Sequence, residues 1–169
     1  MTDAALAPEP PHAPSVIRML LGRLGIAYEE VLDHHGLNPA RKVQAVLLDD
    51  AVGALMVLFP QSQLLDLNRL TELTGRRLTA VSTERLEKML GKHNLSLLPG
   101  LPSLTTSPCL YEESLLREPT VLVNSGEPGV LLEITSEAFK SMLSKASAAN
   151  FGEALTSIRP NLDRPDDDR

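Results

Sequence analysis

Two polar residues on one predicted strand offer the clearest chemistry. In Lys42-Val43-Gln44-Ala45-Val46-Leu47-Leu48 the side chains alternate, so Lys42, Gln44, Val46 and Leu48 share one face and Val43, Ala45 and Leu47 the other. Lys42 and Gln44 then lie about 6.5–7 Å apart along the strand, a gap that a flexible lysine partly spans. An ammonium can hold a phosphate or a developing oxyanion through charge-assisted bonds, whereas an amide donates more weakly. The plainer reading keeps Lys42 as a solvated residue at a strand start and Gln44 as a polar residue on a half-exposed strand.

Other chemistry-bearing groups divide in the same way. Asp33-His34-His35 suggests a metal, but adjacent histidines on a strand point to opposite faces and chelate poorly together. The triplet therefore reads as a turn or strand end, and neither a metal nor a cofactor is expected. Cys109, with His93 as base, is a conceivable nucleophile. It sits in an apolar run with nothing local to depress its pKa, so it reads as a small buried hydrophobe. Ser103, Thr105, Thr106 and Ser107 crowd a proline loop, where they either bind a carbonyl or amino group or simply keep the loop soluble. Gly126 and Gly129 either present backbone N–H groups to a ligand or make a tight hairpin turn. Arg76-Arg77 either touches a nucleic-acid backbone or ends a solvated helix.

Composition limits the partners. The chain has 169 residues, 43% hydrophobic, only 3% aromatic and without Trp. That length suits one domain with a sizeable core, built from Leu, Val, Ile, Ala and Met. A net charge of −6 argues against a broad phosphate-tracking surface, so no DNA is expected, although a local pocket for one nucleotide end remains open. A single cysteine allows no intrachain disulfide and points to the reducing cytoplasm. No apolar stretch reaches membrane-spanning length, and the N-terminus lacks the pattern of a signal peptide, so no membrane is expected.

The elements that must position these groups follow from periodicity and punctuation. Residues 1–14 read as a disordered lead-in, 15–151 as one domain, and 152–169 as an acidic tail or linker. Ser15 is read as the cap of a first helix whose apolar stripe runs through Val16, Leu20 and Leu24, widened by Ile17 and Leu21. Strands are expected at Ala27–His34, Lys42–Leu48, Ala54–Phe59, Leu78–Val81, Cys109–Tyr111, Thr120–Ser125 and Val130–Thr135. Asp66 and Ser82 cap two further helices, residues 113–118 form a helical turn, and a last helix spans Ser136–Phe151. The result is a mixed α/β domain rather than a regular parallel fold.

Three landmarks, in order, carry a resemblance over roughly Ser15–Phe151. They are Gly36-Leu37-Asn38 followed by strand, hairpin and Leu65-Asp66-Leu67; Gly100-Leu101-Pro102-Ser103-Leu104; and Asn124-Ser125-Gly126-Glu127-Pro128-Gly129. Together they resemble the YbaK/prolyl-tRNA-synthetase-editing family, which hydrolyses wrongly charged aminoacyl-tRNA. The resemblance implies an α/β fold with a mixed, largely antiparallel, barrel-like sheet flanked by helices, and a pocket for the aminoacyl end of tRNA. Carried over by position, it implies Gln44, with Lys42 as its substitute, in the catalytic place. It likewise implies Gly100, Pro102, Ser103, Asn124, Ser125, Gly126 and Gly129 as substrate-binding residues. Gln44 stands where the family has its functional lysine, Ala45 replaces a small hydroxyl residue, Leu131 an acidic one, and Pro99 a glycine. The activity implied is an aminoacyl-tRNA deacylase. The alternative is a non-catalytic ligand-sensing or interaction module of a bacterial-type signalling protein. The tail IRPNLDRPDDD resembles linkers to an HDOD signalling domain, so an HDOD-type domain in a longer chain is an expected partner.

Overall fold

The computed structural model describes residues 11–105, 107–143 and 146–154. The expected lead-in therefore falls largely outside the described residues, as does most of the tail, and Thr106 does too.

Local punctuation places the helices. Helix α1 spans Ser15–Leu24 and is preceded by Pro14 as N-cap, which makes no side-chain cap bond. Ser15 is thus the first helical residue rather than the cap, and its Oγ accepts from Arg18 Nη2 at 3.2 Å. The buried stripe of α1 is Ile17, Leu20 and Leu21, while Leu24 is 43% exposed. Asp66 caps α2 (Leu67–Thr74) by accepting from Arg69 N at 3.1 Å. Ser82 does the same for α3 (Thr83–Gly91) through Arg85 N at 3.2 Å. Each such bond satisfies an amide that the first helical turn leaves unpaired. Gly25 and Gly75 stop α1 and α2 at φ 70°, in the left-handed region that glycine enters without steric cost.

The strands are β1 (Glu29–Leu32), β2 (Lys42–Asp49), β3 (Ala54–Pro60), β4 (Gln63–Leu65), β5 (Thr79–Ala80), β6 (Cys109–Glu112), β7 (Thr120–Asn124), β8 (Val130–Thr135), β9 (Ser147–Ala149) and β10 (Gly152–Ala154). The main sheet runs β1-β8-β7-β2-β3-β6-β9, with β5 added to the end of β2, and β4 pairs separately with β10. Pairing is antiparallel for β1/β8, β7/β8, β2/β3, β2/β5 and β4/β10. It is parallel for β2/β7, β3/β6 and β6/β9. The sheet is mixed and mostly antiparallel, as expected, but its path does not close into a barrel. Two 3-10 turns, Pro102–Leu104 and Glu113–Arg117, flank β6.

β3 divides the core. Met56 and Leu58 join Ile17, Leu21, Val121, Val123, Leu132 and Phe139 on one face. Leu55, Val57 and Phe59 join Leu48, Leu70, Leu78 and Phe151 on the other. Apolar side chains on both faces are what a central strand needs. The last helix, α4, covers only Ser136–Met142, and the chain then returns as β9 and β10 instead of continuing to Phe151. Phe151 is fully buried, which a side chain on an exposed helix end would not be.

Candidate functional site

Strand β2 sets the geometry. Lys42 pairs in register with Leu122 and Val43 with Val123 across β7, and Gln44 pairs with Phe59 across β3. On β7 and β8, Leu122 faces Glu133 and Asn124 faces Leu131. Leu131 in turn faces Val31 of β1. Alternation therefore places Lys42, Gln44, Leu122, Asn124, Leu131 and Glu133 on one side of the sheet.

This side carries two cations, each answered by a carboxylate from outside β2, Asp33 just after β1 and Glu133 on β8. Lys42 Nζ donates to Asp33 Oδ1 at 2.7 Å and to the His34 carbonyl at 3.4 Å, with its side chain only 14% exposed. Asp33 is held in place because its own N–H donates to Gly129 O at 2.9 Å. Gly129 and Lys42 thus meet through Asp33. Arg41 Nη2 donates to Glu133 Oε2 at 2.5 Å and to Thr120 Oγ1 at 2.6 Å. Gln44 itself is exposed. His34 Nδ1 accepts from Gly36 N at 3.0 Å, which gives the Asp33-His34-His35 run a turn role. Among the described residues no group of three or more His, Cys, Asp or Glu is placed to hold a metal.

The Asn124–Gly129 turn is braced from within by its own side chains. Asn124 Oδ1 accepts from Gly126 N at 2.9 Å, and Ser125, fully buried, accepts from Glu127 N through Oγ at 3.2 Å. Gly126 O accepts from both Ser96 N and Leu97 N, tying this turn to the loop that leads to Gly100. A Cβ at Gly126, where φ is +94°, would lie 2.8 Å from Leu95 Cδ2. The left-handed backbone conformation demands glycine there, while the Leu95 methyl would have to shift to admit a side chain. At Gly100 a Cβ would lie 3.0 Å from Val43 Cγ1 and 3.4 Å from Val123 Cγ1. That loop presses on β2 and β7 from the side opposite Gln44. Pro102 and Ser103 lie farther on, at the wall of a cavity of about 540 Å³ that neither Lys42 nor Gln44 lines.

The expected residues therefore fall into three places. Lys42, Gln44 and Asn124 share one face; Ser125, Gly126 and Gly129 form a turn bonded to it; Gly100, Pro102 and Ser103 belong to the other side. Sequence reasoning missed Asp33 and Arg41 as partners in the site. Their contacts span strands β1, β2 and β8, and no local pattern encodes that order. Cys109 is buried, and desolvation pushes its thiol up to about 12, which removes the thiolate a nucleophile needs. Arg76 is not free for a nucleic-acid backbone. Its Nε and Nη2 grip Asp50 at 2.9 and 2.7 Å, and Nη2 also reaches Gly53 O at 2.8 Å.

Comparison with known proteins agrees with this architecture. A crystal structure of a candidate signal transduction protein from Marinobacter aquaeolei VT8 superposes with a TM-score of 0.81 at 26% identity, over 90% of this chain and 33% of that one. This chain thus spans about one third of that protein's length. A candidate trans-editing enzyme for prolyl-tRNA synthetase superposes with a TM-score of 0.65 at 21% identity, over 85% of this chain and all of that one. No curated protein matches the chain significantly. The family model for the aminoacyl-tRNA editing domain matches residues 26–142. Carrying that domain's fold and landmarks, the chain belongs to the YbaK-like aminoacyl-tRNA editing domain family.

Proposed function

We propose that the protein takes the aminoacyl end of a mischarged tRNA against the Lys42/Gln44 face and cleaves its ester. One observation carries this reading. The Lys42 ammonium, largely shielded, is fixed 2.7 Å from Asp33 on the strand face that also bears Gln44, so a cation stands two residues from the family's lysine position. Water attacks the ester carbonyl, losing a proton that passes to the departing ribose oxygen, and the negative charge on the resulting tetrahedral oxygen needs donors. Lys42, swung from Asp33, supplies one and the Gln44 amide another. Gly126 N–H is already committed to Asn124, so the turn shapes the site rather than donating to the oxyanion. The leaving group is the tRNA ribose oxygen, which takes up a proton.

The test is incubation of the purified protein, at catalytic concentration, with a panel of mischarged tRNAs. At least one ester should be cleaved faster than in buffer, and Lys42→Ala should slow that cleavage about 10²–10³-fold. If no ester in the panel is cleaved above background, the deacylase reading fails.

A second reading follows from the same ion pair. Lys42 is neutralised by Asp33, and Leu131 is 8% exposed where the family has an acidic group. Such a face suits a non-catalytic ligand-sensing module of a longer signalling protein, with an HDOD-type domain as partner. A non-hydrolysable aminoacyl-adenosine analogue that raises the melting temperature, with no cleavage of any ester, would select this reading.

A further inference from the structure

The open side of β1 is the least explained surface of the fold. β1 ends the main sheet, with β8 on one flank and, among the described residues, no strand on the other. Asp33 N donates inward to Gly129 O at 2.9 Å, and Glu29 to Leu32 continue the antiparallel register with β8. Inter-strand bonds alternate along such a pair. Asp33, Val31 and Glu29 therefore turn their main-chain groups toward β8, and Leu32 and Glu30 turn theirs away from it. An edge of this kind is a template for another extended chain.

Beside the edge lies a cavity of about 350 Å³ whose wall includes Tyr28, Glu29, Thr120 and Glu133. Glu29 and Glu133 stand directly opposite each other across β1 and β8, so their side chains share one face. Arg41 reaches Glu133, and among the described residues Glu29 has no ion-pair partner. Like charges directly opposite repel, and a cation entering between them relieves that repulsion. On the other face Glu30 is already engaged by His12 Nδ1 and Ala13 N. Leu32 beside it is 54% exposed, apolar area that an incoming strand would cover.

We propose that β1 is a docking edge for an extended segment of a partner protein, with a lysine or arginine opposite Glu29 and apolar residues opposite Glu30 and Leu32. Main-chain bonds to Glu30 and Leu32 hold the segment, and its cation enters the cavity between Glu29 and Glu133. Charge selects this occupant. A second copy of the chain, paired antiparallel about Glu30, sets Glu30 against Glu30; paired about Val31, it sets Glu29 against Asp33. The chain's own ends fit no better. Residues 1–10 carry Asp3 and Glu9 with no Lys or Arg, and in 155–169 a proline follows both Arg159 and Arg164, where it withholds an N–H from any ladder. The docking edge does not depend on ester cleavage at Lys42.

The experiment titrates the full chain into a fluorescein-labelled peptide, Lys-Val-Thr-Val-Lys-Val, whose alternation puts both lysines on one face and the valines on the other. One control peptide replaces each lysine by glutamate. The other N-methylates the middle valine, which removes a main-chain donor and keeps the charge. The lysine peptide should bind saturably in anisotropy and shift the Glu30 and Leu32 amide resonances, and each control should bind about tenfold more weakly or worse. Glu29 is exposed, so Glu29→Lys should fold normally, weaken the lysine peptide about tenfold and turn the preference toward the glutamate peptide. Leu32→Pro removes an outward N–H and should weaken every peptide. The proposal is overturned if the lysine peptide does not bind, if the N-methylated peptide binds as well, or if Glu29→Lys leaves the preference unchanged. A dimer in sedimentation that Leu32→Pro dissolves would overturn it too, in favour of a second copy at this edge.

Discussion

At the residue scale the decisive pair is Lys42 and Asp33. Their 2.7 Å contact leaves Asp33 42% exposed while Lys42 is mostly shielded. A pair this open to water contributes at most about 1 kcal/mol, because solvent screens it and both side chains lose freedom. Asp33→Asn should therefore lower stability by no more than about 1 kcal/mol in denaturant unfolding. If Lys42 acts on the ester, the same change frees its ammonium and should raise deacylation. Unchanged or lower cleavage in a normally folded Asp33→Asn protein would argue that the pair is structural. Cys109 yields a second outcome. Its thiol is pushed from 9.0 to about 12 by burial. A raised folded value stabilises fully below the unfolded pKa and fades as pH climbs through the folded one. The wild type should thus lose stability between about pH 9 and 12, and Cys109→Ala should show a shallower decline in chemical denaturation over that window. Both residues were visible in the sequence, Cys109 as an apolar-flanked thiol and Lys42 as a neighbour of Gln44. The partner of Lys42 was not, because Asp33 reaches it only through the order β1-β8-β7-β2.

The same division holds for whole elements. Caps and stops depend on neighbours a few residues away, so Asp66, Ser82, Gly25 and Gly75 announced α2, α3 and the end of α1. The hairpin between β2 and β3 was equally legible from Asp49-Asp50-Ala51-Val52-Gly53. Its clasp was not. Asp50 accepts from Val52 N and Gly53 N and is gripped by Arg76 from beyond α2. That guanidinium holds the Asp50 carboxyl well below the usual carboxylate range. A depressed folded value stabilises above the unfolded pKa and is lost as pH falls through the folded one. Asp50→Asn should therefore destabilise at pH 6, and the gap to wild type should narrow in strong acid; an equal gap at both would refute the clasp. The C-terminal return was the least legible element, since a helical pattern after Ser136 gave no sign of β9 or β10. What fixes it is Glu112, 2% exposed, whose Oε2 accepts from Phe151 N at 2.7 Å and Gly152 N at 2.9 Å. Glu112→Ala strands two amides in the interior and should cost about 2–4 kcal/mol. Hydrogen exchange at Phe151 and Gly152 should accelerate before the rest of the sheet, whereas a uniform rise would mean only global destabilisation.

For the whole molecule, electrostatics sets how a tRNA could be held. The chain carries a net charge of −6. Arg41, Lys42, Arg76 and Arg85 are each ion-paired to a carboxylate of the same chain. A cation already matched inside the fold neutralises a phosphate only by breaking its own pair, so each such contact gains little. The sheet arrangement agrees with this. Arg41 and Lys42 sit together at the start of β2, whereas Arg76 and Arg85 reach Asp50 and Asp49 at its far end, so they form no continuous stripe along one groove. Binding of an aminoacyl end should then rest on local shape and one or two phosphate contacts. For single strands the slope of log affinity against log salt is about −0.7 per phosphate neutralised, which puts the expected slope near −0.7 to −1.4. Fluorescence anisotropy of a labelled acceptor-stem mimic, titrated across a salt series, measures it. Lys42→Ala should reduce the slope by about one contact's worth, while Arg85→Ala, which removes a cation from the opposite end of β2, should leave it unchanged. A slope steeper than about −3 would reveal a broad cationic track and would overturn the view of a small, locally matched site on an acidic scaffold.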